Sequence, residues 1–209
     1  MTARESAHVA GEQGSIDVSG LPSTTFGHRA LTWWGTVGFM AAEGTTLIIC
    51  AVAYLYVQRN FQVWPPRETP LPSLTASTIQ LLLMAVSVPV MISTSRAARR
   101  LDLGGVRRGM LLSTGFALAF CVVRWFELQA LHTRWDSNAY GSTVWAVVFA
   151  HATLLVAQFF ESAALSALLL LGPVEPKHFG DVDDSCLYWY FMTGAWLVLY
   201  LLVFISPRV

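Results

Sequence analysis

The sequence is short of charge. Only 12% of its 209 residues are Asp, Glu, Lys or Arg, whereas soluble domains average about 25%. Acidic and basic residues balance at 13 each, so the net charge points to no partner of either sign. Because the sequence has no basic tract and no basic patch interleaved with aromatics, we expect no nucleic-acid partner. Low charge together with a 55% hydrophobic content predicts an integral membrane protein.

The sequence also lacks the motifs of common catalytic and redox sites. It contains no H-E-x-x-H, G-x-S-x-G, P-loop or G-x-G-x-x-G pattern. The three cysteines are far apart and form no C-x-x-C pair, so we interpret them as small buried hydrophobes. Only one histidine, His151, lies clearly inside an apolar segment, which argues against bis-histidine haem ligation within the chain. We therefore predict no catalytic residue, no metal ligand and no redox cofactor in this chain.

Long apolar segments are what the sequence does have. Five of them supply the roughly 20 apolar residues that a membrane span requires. They predict an all-α, polytopic membrane helical bundle with spans at about 31–57, 74–95, 108–128, 142–171 and 185–206. Residues 1–30 are polar and lack the apolar core of a signal peptide, so they predict an N-terminal tail before a membrane domain at 31–209.

Basic residues in the loops predict how the helices are oriented. In the predicted arrangement, eight lie on one side of the membrane: Arg4, Arg29, Arg96, Arg99, Arg100, Arg107, Arg108 and Lys177. Four lie on the other side: Arg59, Arg67, Arg134 and Arg208. Because cytoplasmic loops carry the excess of Lys and Arg, the N-terminus is predicted to be cytoplasmic. The aromatic belts then comprise Trp33, Trp34, Tyr188 and Trp189 at the inner membrane interface and Tyr56, Trp64, Trp135 and Trp145 at the outer one.

Two ionisable residues fall near the middle of the predicted membrane. Glu43 lies about 18 Å past the start of the first span, and His151 about 14 Å into the fourth. A charged carboxylate at the bilayer centre costs about 2.5–3.5 kcal/mol, so such a residue needs a partner, a proton or a task. The two side chains would meet if their helices pack together. Alternatively, Glu43 is a packing residue that hydrogen-bonds to Thr45, Thr46 or a neighbouring helix.

A second pair of charges lies near the end of the third span. Arg124 and Glu127 are spaced i, i+3, which places them on one helix face. The spacing favours a partly buried ion pair that lets both side chains enter the membrane. The functional alternative is a polar site for a lipid headgroup or a partner subunit.

Five passages, taken in order, resemble subunit III of the haem-copper oxidases, the cytochrome c oxidase subunit 3 family. They cover nearly all of the chain beyond the tail. The first is A-A-E-G around Glu43, and the third is W-F-E, which ends at Glu127. The others comprise W-P-P (Trp64, Pro65, Pro66), Y-G-S-T (Tyr140, Gly141, Ser142, Thr143) followed by His151, and Y-W-Y-F opening with Tyr188, Trp189 and Tyr190 and continuing to Trp196.

The resemblance implies a subunit that carries no haem or copper. Such a subunit packs beside catalytic subunit I, and subunit II is a further partner. The haem and copper are expected in these partner subunits. A subunit of this kind holds phospholipid in a cleft between its helices and supports complex stability and proton uptake. It lies in a bacterial inner (plasma) membrane, and five-helix bacterial members lack the first two helices of the larger ones. By this resemblance, Glu43 is the family's carbodiimide-sensitive carboxyl.

The chain departs from the family pattern at four polar positions. Ala42 stands where the family has the serine of S-E. Leu154, Tyr190 and Thr193 stand where the family often has histidine, histidine and aspartate. This leaves open a nitric oxide reductase or a quinol oxidase as the partner enzyme. A small autonomous proton-linked transporter that uses Glu43 is the alternative from another class, although the chain shows no inverted repeat.

Overall fold

The computed structural model describes residues 25–28, 30–66 and 69–208, and five long helices make up most of this part. They are α1 (Leu31–Arg59), α2 (Leu74–Arg99), α3 (Leu103–Gln129), α4 (Ala139–Leu171) and α5 (Pro176–Tyr200). Each is long and apolar enough to cross a membrane, and no strand occurs in the described ranges. The prediction of an all-α, five-helix membrane fold is confirmed. The tail predicted for residues 1–30 lies almost entirely outside the described residues.

Helices α3 and α4 begin earlier than the apolar segments indicated, because a polar residue caps each one. Asp102 accepts a hydrogen bond from the Gly105 amide at 3.1 Å, so α3 begins at Leu103 rather than near residue 108. Asn138 accepts one from the Gly141 amide at 2.8 Å, so α4 begins at Ala139 rather than near residue 142. These caps satisfy amide groups that the first turn of a helix leaves without partners.

The start of α5 differs most from its predicted position. The helix begins at Pro176 rather than near residue 185, since proline suits the first helical position. The Glu175 amide donates to His178 Nδ1 at 3.0 Å, and the Glu175 side chain accepts from the His178 amide. This reciprocal cap supports a polar first turn that a hydropathy pattern misses. Beyond Tyr200 the chain continues as a π-helical turn, Leu201–Ile205, and a 3₁₀ turn, Ser206–Arg208.

Helix α5 occupies the centre of the bundle, where it packs against α1, α2 and α4. Its aromatic residues therefore face other helices, and the placement of Tyr188 and Trp189 at a membrane interface was wrong. Tyr188 is only 2% exposed and Trp189 is fully buried. The Trp189 indole donates to Ser87 Oγ of α2 at 2.8 Å. Aromatic belts form on lipid-facing surfaces, and a central helix has little such surface.

Polar contacts tie the helices together at the arginine-rich end of the bundle. Asp183 of α5 accepts from Ser95 at 2.5 Å and pairs with Arg99 at 3.0 Å, both on α2. Arg107 of α3 donates to the Leu169 carbonyl of α4 at 2.7 Å. Two of the five arginines flanking the α2–α3 turn, Arg99 and Arg107, therefore make contacts between helices of the bundle.

Helix α1 lies at the edge of the bundle and contacts only α4 and α5 extensively. Leu47 and Tyr54 are its only buried residues. Ile48 and Tyr56 are 64% and 70% exposed, and they belong to a broad apolar surface along this helix. In a membrane such a surface faces lipid or another apolar helix.

Candidate functional site

Arg124 and Glu127 form a buried ion pair near the end of α3. Their side chains are 3% and 1% exposed, and Arg124 Nη1 lies 2.7 Å from Glu127 Oε2. The i, i+3 spacing brings the two groups together on the face of α3 that packs into the bundle. Pairing offsets part of the large cost of removing each charge from water.

His151 completes this group from α4. Arg124 Nη2 lies 3.0 Å from His151 Nδ1, and His151 Nε2 lies 3.1 Å from the Met192 carbonyl oxygen. A guanidinium group has only donors, so Nδ1 accepts. The ring proton is therefore on Nε2, which donates to the carbonyl of α5. This arrangement assigns His151 a neutral imidazole in one defined tautomer.

Trp196 of α5 covers the charged group. Its ring centroid lies 3.7 Å from Arg124 Cζ, within the range of a cation–π contact, and 4.9 Å from the centroid of the His151 ring. We call Arg124, Glu127, His151 and Trp196 the buried polar site. Glu127 Oε1 has no hydrogen-bond partner among the described residues. The site holds three helices together, and its groups are enclosed by protein.

Glu43 lies apart from this group. Tyr188 donates its phenol hydrogen to Glu43 Oε2 at 2.5 Å, and this bond joins α1 to α5. Thr45 and Thr46 donate to carbonyl groups of their own helix, so neither is the partner of Glu43. The expected meeting of Glu43 and His151 does not occur in the described structure, because α4 directs His151 towards α3 and α5. Glu43 itself is half-buried, whereas Tyr188 is enclosed.

More polar groups continue from Glu43 towards α4. Glu161 is exposed on the surface of α4, close enough for its charge to interact with that of Glu43. Ser185 of α5 accepts from the Gln158 amide of α4 at 3.1 Å. We call Glu43, Tyr188, Glu161, Ser185 and Gln158 the polar strip. Sequence reasoning missed the linking roles of Tyr188 and Ser185, which depend on how α5 is rotated.

The comparisons with known proteins agree with these landmarks. No family model matches the chain. Cytochrome c oxidase subunit 3 from Synechocystis sp. is 24% identical over 188 residues, which cover 86% of this chain and 77% of that protein. The chain is a divergent relative of cytochrome c oxidase subunit 3. The resemblance seen in the sequence is thereby confirmed.

The landmark residues of this subunit 3 relative hold loops and helices in place. Trp64 donates to the Tyr54 hydroxyl at 2.9 Å, and its ring meets Tyr140 edge-to-face at 5.0 Å. The W-P-P loop, with Pro65 and Pro66, is thus anchored on α1 and on the start of α4. Ser142 donates to the Trp135 carbonyl at 2.7 Å, which closes the α3–α4 loop.

The remaining landmarks have local roles in the subunit 3 relative. Thr143 donates to the Ala139 carbonyl of its own helix, and Tyr190 packs, partly buried, against the core. A side chain at Gly141 would collide with the Arg134 carbonyl, so the close approach of loop and helix requires glycine there. Among the described residues, no group of three His, Cys, Asp or Glu side chains could hold a metal.

Proposed function

We propose that this chain is an accessory subunit of a haem-copper respiratory oxidase. Its similarity to cytochrome c oxidase subunit 3 across 86% of its length carries this proposal. The catalytic subunit I and subunit II are the partners, and they hold the haem and copper. The chain lies in a bacterial plasma membrane and supports the stability of the complex, lipid binding and proton uptake.

The exposed surface beside the polar strip is evidence that a partner subunit packs against this side of the bundle. Glu161 is exposed on a membrane-spanning helix, and Glu43 is only half-buried. A carboxyl group is costly against lipid chains, so side chains of this kind face protein or a water-filled cavity. The apolar surface of α1 lies next to these groups. Subunit I packing against α1 and α4 would cover both features.

Deleting the chain from its native membrane tests the accessory role. We expect the remaining oxidase to keep its haem spectrum and its initial rate of O2 consumption, because the redox centres lie in other subunits. Its active lifetime during turnover is expected to fall at least severalfold and to recover when the chain is restored. Loss of all haem signal, or an unchanged lifetime, would contradict the proposal.

Two further assays separate the alternatives. The same membranes would be assayed with nitric oxide and with quinol as substrates. If the chain serves a nitric oxide reductase or a quinol oxidase, its deletion would shorten the lifetime of that activity and not of the first. The purified chain in liposomes would move protons, and Glu43→Gln would abolish the movement, if it were an autonomous transporter. We expect no such transport.

A further inference from the structure

A cavity of about 500 Å³ lies between α2 and α3 at the arginine-rich end of the bundle. It is separate from the buried polar site and from the polar strip. Val90, Ser93 and Ala97 line it from α2 at spacings of three and seven residues, which place them on one helix face. Gly105, Gly109 and Leu112 line it from α3 with a matching spacing. Two parallel stripes of small and apolar residues therefore form the walls of a groove.

The mouth of this groove is strongly basic. Arg96, Arg100 and Arg108 line it, and Asp102 is its only acidic lining residue. Three guanidinium groups and one carboxylate leave two positive charges at neutral pH. Asp102 is already engaged as the cap of α3, where it accepts from the Gly105 amide. The carboxylate therefore cannot satisfy all three arginines.

These three arginines are the ones that the bundle itself does not use. Arg99 is paired with Asp183, and Arg107 donates to Leu169. Within the described ranges, no hydrogen bond or ion pair from another side chain engages the guanidinium groups of Arg96 and Arg100. The Nε atom of Arg108 donates to the Gly104 carbonyl at 3.2 Å. A general excess of positive charge in a cytoplasmic loop would not require three arginines to converge on one cavity.

The groove leads from these charges into the membrane. Val90 and Leu112 each lie nine residues from the turn-facing end of their helix, or about 14 Å along the axis. Leu112 is 57% exposed, so the groove opens on the lipid-facing surface. A ligand that fits has an anionic head at the membrane interface and an apolar body that extends along the helices.

We propose that this groove is a binding site for an anionic phospholipid. Its phosphodiester group contacts Arg96, Arg100 and Arg108, and an acyl chain lies between Val90 and Leu112. Arginine matches phosphate oxygens through paired donors, and basic pockets between membrane helices suit such headgroups. The site belongs to the α2–α3 hairpin of this chain and does not depend on which enzyme the chain accompanies.

The test compares the binding of phosphatidylglycerol with that of phosphatidylcholine to the full chain. The chain is delipidated, and native mass spectrometry releases it from its complex and detects the bound lipid. We expect Arg96→Gln/Arg100→Gln to weaken phosphatidylglycerol binding roughly 30-fold, from about fivefold per arginine. The matched control, Arg59→Gln/Arg134→Gln, removes two arginines from the other end of the bundle and should bind as the wild type does. Unchanged phosphatidylglycerol binding in the first variant would overturn the proposal.

Two further arms distinguish a lipid from free phosphate. Ser93→Phe adds bulk to the apolar wall, since Ser93 is exposed there and bonds only to its own helix. It should weaken phosphatidylglycerol binding while the arginines remain. Inorganic phosphate at millimolar concentration should not displace the lipid. Displacement by phosphate, or equal binding of phosphatidylcholine, would show that the groove does not select an anionic phospholipid.

Discussion

Arg124 is the residue at which three helices converge. It meets Glu127 on its own helix, His151 on α4 and Trp196 on α5. An arginine stays charged in proteins, so it must be balanced wherever it is buried. The single carboxylate beside it and the accepting imidazole nitrogen together supply that balance. This group explains how a membrane helix can contain two charges and still pack tightly.

The buried pair should be strongly coupled. We expect Arg124→Leu or Glu127→Leu alone to lower the free energy of unfolding by about 3–5 kcal/mol, since each strands a buried charge. The double variant should lose less than either single variant. Denaturant unfolding in detergent, followed by circular dichroism, measures these differences. The exposed Arg134–Asp136 pair is the control, and it should show little or no coupling. Additive losses at Arg124 and Glu127 would rule out the pairing.

Glu43 acts through Tyr188 in this account. We expect Glu43→Ala to shorten the active lifetime of the complex without erasing its haem spectrum. Tyr188→Phe should shorten it in the same direction, because it removes the only hydrogen bond recorded for the Glu43 carboxyl in the described structure. Tyr56→Phe, on the exposed face of α1, is the control. If Tyr188→Phe has a wild-type lifetime while Glu43→Ala does not, the hydrogen bond is not what matters.

At the scale of helices, the docking of α5 on α2 depends on a few polar contacts inside an apolar core. We expect Ser87→Ala to lower the free energy of unfolding by about 1–3 kcal/mol, because it leaves the buried Trp189 indole without an acceptor. Thermal unfolding in detergent measures the loss. Ser93→Ala on the same helix removes a hydroxyl that bonds only to its own backbone, and it should change little. Equal effects of the two variants would show that the Trp189 contact contributes nothing.

The sequence predicted whole helices better than their ends or partners. Apolar length predicted all five helices, because a membrane imposes a minimum span. Capping residues such as Asp102 and Asn138 determine where helices begin, and hydropathy does not register them. Spacing predicted that Arg124 and Glu127 share a face, since both lie on one helix. It could not predict the partners of His151 and Glu43, which depend on how neighbouring helices are rotated.

At the scale of the whole molecule, the orientation in the membrane follows from the distribution of arginines. Five arginines flank the α2–α3 turn, which predicts that this end and the N-terminus face the cytoplasm. With five spans, the C-terminus is then outside. We expect alkaline phosphatase fused to the C-terminus to be active and a fluorescent protein fused there to be dark. The opposite pair of signals would reverse the orientation, and fusions in the α2–α3 turn provide the internal control.

Co-purification with haem tests the central claim most directly. The chain would be tagged, extracted from its native membrane in mild detergent and purified, and its haem content measured by absorption spectroscopy. An accessory oxidase subunit should bring with it a large haem-containing subunit at a fixed ratio to the chain. A comparable untagged preparation gives the background. Recovery of the intact, folded chain alone and without haem would contradict the account.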